Sequence, residues 1–447
     1  MRVRAMSIVA LALVALLVAP PVDSAPSLRF SKPLKITPDT FGGYEPGIAI
    51  DHFGNIYVTA HKDDYAAALS PDPDGSAPAR SASWLWTSSD GGRTFHDLPG
   101  TSQLGEYRFE PGVEGDVALD GAGHVYFVDT NVTDVTFARW RATGRGKLEL
   151  ETTRPALGSG ELIDDRPWII GHGNGVVMYL GNDVESDTSL GTKTGGSAYG
   201  AGQYTVYMSY NGGDGFDTTG KSLADSGWCR PGADPRQGSS LLYVICTSSG
   251  ISAKEHLWSF VSTDNGRSWT RYAMGTYNNR DSAQSWPSVA VANDGTIYAL
   301  YNDADTNGSS PEPIRNHLML YTSTTEGRTW TARDVTPRPG LIHYSWIAVS
   351  PDGTLGIAYY YRPDARHAWY LYAGTARPGE RFHVVSVAPD APVSKASSFR
   401  PHGDFFEIAF DPNDKLNVVW TSDADVARGA NSPAYGIPSD VYYARQL

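Results

Sequence analysis

Residues 262–269 read STDNGRSW, and the chain repeats this phrase with small changes. SSDGGRTF stands at 88–95, SYNGGDGF at 209–216 and STTEGRTW at 323–330, with a worn copy, TARPGERF, at 375–382. Each copy packs a short polar side chain, a glycine and an aromatic into eight residues. That is the chemistry of a tight turn: the Asp can accept backbone N–H groups and the Gly can take a positive φ. The aromatic then has an apolar gap to fill. Four or five such turns spread along one chain imply a repeating structural unit, not one compact active site.

The turn is one half of the unit. Ahead of it runs a second pattern, clearest in SVAVANDGTIYAL at 288–300. Its relatives lie at 46–60, 115–129, 166–180, 345–359 and 406–420, with a divergent form at 230–246. Each is two alternating strands around a Gly/Asp/Asn turn, the signal of a β-hairpin. A third strand follows, such as LWSFVS or HLMLYTS, and runs into the octapeptide. A fourth, weaker strand closes the unit. Copies begin roughly 50–70 residues apart, the spacing of four-stranded propeller blades. The expected fold is therefore all-β, a seven-bladed β-propeller. Six blades are the alternative if the irregular fourth unit is not counted. The final DVYYARQL (440–447) lacks a fourth strand, and LRFSKPLKIT (28–37) reads as a fourth strand without predecessors. Pairing them completes blade seven and removes an open edge.

Composition narrows the function. Of 447 residues, 40% are hydrophobic, 19% charged and 11% aromatic, and the net charge is −13 with no basic run. Nucleic-acid binding has no support in such a chain. Arg2 and Arg4 precede an apolar run of 14 residues and then small residues near 24–25. This is the layout of a secretory signal peptide over 1–25. It is too short for a membrane span, and no second apolar stretch is long enough. The expectation is one exported propeller domain over 26–447, secreted and monomeric. Cys229 and Cys246 are the two cysteines. In an exported chain they should be oxidised, and the hairpin of blade four brings them opposite each other.

The segments leading into the innermost strands should gather at one end of the channel, and they differ in character from the strands. They carry Arg166, Arg280 and Arg400, which could fork onto an anionic group, and Glu110, Asp165, Asp281 and Asp404 among the carboxylates. His343, Tyr344 and His402 supply titratable groups. Trp168, Trp286 and Trp346 supply flat apolar faces. The mixture suits an anionic glycan. Tying blades together is the alternative use of the same residues. DADTNG (303–308) echoes part of a calcium loop without its closing Glu. Calcium is therefore a secondary expectation, and otherwise no cofactor or metal is expected.

SSDGGRTF and STDNGRSW resemble the Asp-box, or BNR-repeat, proteins of the sialidase-like superfamily, and the hairpins extend that likeness over about residues 28–447. The resemblance implies a propeller in which the Asp-box residues are structural. It implies a sialidase-like glycosidase with an arginine cluster for the substrate carboxylate, a tyrosine nucleophile and an aspartate acid/base. On this chain those roles map to Arg166, Arg280 and Arg400, to Tyr344, and to Asp165 or Asp281. A lyase acting on a uronate glycan, with His343 or His402 as base, is the second reading. A non-catalytic propeller binding a glycan or a protein is the third.

Overall fold

The computed structural model describes residues 28–38, 41–61, 63–64, 83–98, 114–130, 135–157, 167–183, 203–248, 255–277, 286–305, 315–394, 405–423 and 439–447. Among them there is no helix. Seven four-stranded antiparallel sheets account for nearly all the regular structure. The innermost strands are Gly47–Ile50, Glu114–Leu119, Trp168–Gly173, Cys229–Ala233, Ser288–Val291, Leu341–Val349 and Ile408–Phe410. Each packs against the innermost strands of the blades before and after it, and the last packs on the first. The ring is closed, and it has seven blades.

Closure occurs at the expected place. Leu34–Lys35 pairs with Asp440–Arg445, Leu34 opposite Tyr443 and Lys35 opposite Tyr442. The first described strand is thus the outer strand of the last blade. Burial falls from the inside of each blade to its rim. The second strands Ile56–Ala60, Leu242–Thr247, Leu355–Arg362 and Leu416–Ser422 are buried at every position. Outer strands such as Thr331–Asp334 are exposed throughout. A strand sandwiched on both faces by neighbouring blades has no solvent side, so it loses the in–out alternation of an edge strand.

The octapeptides hold their own turns. In SSDGGRTF, Asp90 accepts hydrogen bonds from Ser88 Oγ (2.9 Å), Thr94 N (3.1 Å) and Thr94 Oγ1 (2.7 Å). Burial opposes its ionisation, but the bonds from Thr94, Ser88 and Arg93 prevail and hold the carboxyl well below its ordinary range. Asp264 repeats the arrangement with Ser262 and Ser268, and Thr325 keeps part of it with Thr329. The aromatics reach neighbouring blades: Phe95 meets Tyr443, and Phe216 meets Phe137. The glycines have a second use that the repeat alone does not disclose. A Cβ on Gly92 would stand 2.1 Å from the Tyr443 ring, and one on Gly213 would stand 2.0 Å from Phe137. The turn seats directly on the third strand of the preceding blade, so it joins blades as well as reversing the chain.

Blade two departs from the repeat. It has no octapeptide; Val135–Gly144 and Lys147–Leu157 form one long hairpin instead. Blade four is stapled as expected, with Cys229 and Cys246 directly opposite in the ladder and joined as a disulfide.

Candidate site at the channel mouth

The seven hairpins can be superposed by their ladder registers. Gly47 faces Thr59, Asp116 faces Val128, Trp168 faces Leu180 and Arg230 faces Ile245. Ser288 faces Leu300, and Trp346 faces Ala358. Glu407, just ahead of Ile408–Phe410, takes the same place opposite Val419. One residue from each blade therefore stands at one level of the channel.

Arg230 is the hub of this level. Its guanidinium carbon lies 3.5 Å from the Trp168 ring centre and 4.1 Å from that of Trp346. It is thus held between indoles from blades three and six, with Phe405 of blade seven at 5.8 Å. Stacking of this kind suits a planar, weakly hydrated cation. Arg230 Nη2 donates to Glu407 Oε1 in a buried ion pair. The other Glu407 oxygen accepts the Ile48 N–H of blade one at 3.0 Å. Asp116 follows the same plan, accepting Ile169 N of blade three at 2.8 Å and its neighbour Val117 N at 2.9 Å. Ser288 Oγ accepts Ile347 N across the junction of blades five and six. Polar side chains of this ring thus serve backbone donors of adjoining blades.

Gly47 leaves room between the two acids. A Cβ there would lie 3.4 Å from Glu407 Oε2 and 3.6 Å from Asp116 Oδ1. Two buried carboxyls therefore share one cation. Burial, followed by repulsion from Glu407, pushes the Asp116 carboxyl up to about 7 against the pull of Arg230. The arrangement that balances charge is Glu407 ionised on Arg230 with Asp116 carrying a proton.

Two residues above this ring the chain is strained at two of the described equivalent places. Glu45 has φ 53° and Tyr344 has φ 41°, left-handed values that cost energy for residues bearing a Cβ. Tyr344 sits at a register shift between His343 and Ser345, its ring 3.8 Å from that of His343. Glu45 Oε2 lies 3.0 Å from His61 Nε2, and the Tyr44 ring stacks on His61. All four of Glu45, His61, His343 and Tyr344 are buried.

Of the residues singled out in the sequence, the described structure brings together His343, Tyr344, Trp168, Trp286 and Trp346. The three tryptophans are buried. Trp168 packs on Trp286 at 5.6 Å and on Phe405 at 4.8 Å, and its indole face is covered by Arg230. Their rings form walls of the arginine cage, not exposed platforms. Asp165, Arg166, Arg280, Asp281, Arg400, His402, Asp404 and Glu110 lie outside the described residues, as does the stretch 1–25. Among the described residues no group of three or more His, Cys, Asp or Glu could hold a metal ion, and no helix is long and apolar enough to cross a membrane. Asp116 and Glu407 were missed in the sequence. Aligning the hairpins by their turns, and reading the column before the first apolar residue, would have placed them beside Arg230.

Comparison with known proteins agrees with the architecture. Residues 207–357 match the family described as BNR repeat-like domain, a span holding three of the octapeptides. No curated protein sequence matches the chain. A protein of unknown function from Dyadobacter fermentans superposes with a TM-score of 0.53 at 13% identity, over 94% of this chain and 99% of that one. An α-L-arabinanase from Penicillium chrysogenum, solved with arabinobiose, gives 0.43 at 10% identity over 93% and 98%. The NanB sialidase from Streptococcus pneumoniae gives 0.42 at 12% over 94% and 70%. At these identities the likeness is one of fold. In fold this chain is a seven-bladed β-propeller, and over residues 207–357 it is similar to the BNR repeat-like domain family.

Proposed function

We propose that the protein is exported and acts on an anionic glycan at the mouth of its channel, as a glycoside hydrolase. One observation carries the reading. Trp168 of blade three packs on both Trp286 of blade five and Phe405 of blade seven. Arg166 lies two residues before Trp168, Asp281 five before Trp286, and Asp404 directly before Phe405. Tyr344, with its left-handed backbone, lies in the same buried cluster as these rings. In this reading Arg166, Arg280 and Arg400 grip the substrate's carboxylate, Tyr344 attacks the anomeric carbon, and Asp165 or Asp281 moves the proton. Export accords with the oxidised cysteine pair.

The test is product analysis by mass spectrometry after incubating residues 26–447 with sialosides and uronate oligosaccharides. Hydrolysis adds water across the bond, whereas a lyase leaves an unsaturated sugar. Arg166→Ala and Arg400→Ala should abolish turnover, and Tyr344→Phe should lower kcat with KM little changed. A protein that neither binds nor cleaves any of these glycans overturns the proposal.

A further inference from the structure

Away from the channel, on the wall where blades five and six meet, lies a groove of about 380 Å³ lined by Pro337, Arg338, Arg381, Phe382, His383 and Val384. Three of its six lining residues are Arg or His, and none is acidic. This is unusual in a chain of net charge −13. Elsewhere the described arginines are commonly neutralised: Arg139 by Glu151, Arg236 by Asp234, Arg377 by Asp352 and Arg445 by Asp411. Among the described residues, Arg338 and Arg381 have no carboxylate within ion-pair distance. Arg381 donates only to the Pro337 carbonyl, at 3.3 Å.

The groove is also built to hold its shape. Arg338 sits in the segment Pro337–Gly340, whose two prolines fix their φ angles. The Pro339 carbonyl accepts the Tyr361 hydroxyl at 2.8 Å, and Gly340 lies so close to Tyr361 that a Cβ would stand 2.4 Å from its ring. The Arg338 guanidinium lies 4.5 Å from the Tyr372 ring centre and 5.4 Å from that of Tyr361. With its face stacked on tyrosine, its N–H edge remains as donor. A guanidinium already fixed in this way loses little freedom on binding.

We propose that this groove is a second binding site, which takes one oxyanion, sulfate or carboxylate, carried on a glycan, with Arg338 and Arg381 as its donors. In an acidic protein a polyanionic saccharide is repelled by most of the surface, so a local pair of uncompensated guanidinia decides where it can rest. The site is independent of the channel mouth, and its test is run in the Arg166→Ala/Arg400→Ala background, so that failure of either site is seen separately.

Calorimetric titration of that variant should use a sulfated oligosaccharide, a polyuronate oligosaccharide, a neutral oligosaccharide of equal length, and inorganic sulfate. One or both anionic oligosaccharides should bind, and the neutral one should not. Which one binds identifies the oxyanion. Arg381→Ala, at an exposed position, should weaken binding about tenfold, the loss of one charge-assisted hydrogen bond. Arg338→Ala should weaken it at least as much, and Arg338→Lys should restore only part, since the forked donor is missing. Binding that survives both alanine substitutions unchanged overturns the proposal, as does no binding of either anionic oligosaccharide. Inorganic sulfate binding as tightly as the oligosaccharides overturns the glycan assignment.

Discussion

Replacing Glu407 by Gln tests the electrostatics of the channel floor. Arg230 and Glu407 are 8% and 6% exposed, so the substitution leaves a buried guanidinium without its counter-charge. Breaking one side of such a pair costs about 3 to 5 kcal/mol. The Gln carbonyl can still accept the Ile48 N–H, so the tie to blade one adds little to the loss. Asp116 then makes the cost depend on pH. Repulsion from Glu407 is the second largest cause of its raised pKa, after burial. Without Glu407, Asp116 ionises at lower pH and takes over the neutralisation of Arg230. The full cost should therefore appear at pH 5 and shrink by pH 8, by about 1.4 kcal/mol for each unit that the Asp116 pKa falls. The assay is urea unfolding followed by tryptophan fluorescence at both pH values, read as midpoints at constant slope. Arg230→Met/Glu407→Gln removes both charges and should recover much of the loss, because an apolar side chain of similar length suits a cage of two indoles and a phenyl ring. A Glu407→Gln midpoint equal to wild type at pH 5 refutes the buried-pair argument. So does a double variant no more stable than the single one.

The wild-type Asp116 carboxyl has its own signature. Its folded pKa is raised to about 7 from an ordinary 3.8, so its contribution to stability is fully present below about pH 4 and is lost as pH rises through 7. Asp116→Asn should flatten the stability profile across that window, and an unchanged slope would contradict the assignment. Gly91 and Gly92 share φ 81°, but a Cβ on Gly91 meets nothing within 4 Å whereas one on Gly92 strikes Tyr443. Gly91→Ala should cost about 1 kcal/mol for the left-handed backbone, and Gly92→Ala about 1 to 3 kcal/mol more for the overpacking, measured by thermal unfolding. Cys229→Ser/Cys246→Ser opens a loop of 17 residues and should cost about 3 kcal/mol, an effect that reductant should reproduce in the parent protein.

Much of this molecule can be read locally. Turn chemistry is contained within eight residues, so STDNGRSW announces its own hydrogen bonds, and Asp264 makes them. Strand alternation and the Gly/Asp turns mark the hairpins, and counting hairpins gives the blades. The opposed cysteines follow from the register of one hairpin, and ring closure follows from strands missing at the two ends. All of these depend on neighbours in the chain, or on a repeat whose period is visible. What faces what across the channel does not. Trp168 and Trp346 are far apart in sequence and read equally well as sugar platforms, yet ring closure brings both onto Arg230. Asp116 and Glu407 are ordinary acids in the sequence; burial beside one shared cation makes them unequal. Arg338 and Arg381 carry no motif, and only the packing of blade five's exit on blade six leaves them together without a carboxylate. Repetition and turn geometry are local, so the propeller and its closed ring are legible in the chain, while the choice of seven blades over six rested on the folded fourth blade. The tertiary structure alone decided which charges meet and which are buried, because Coulomb energy and desolvation depend on distance in space and on the loss of water, and neither is written along the chain.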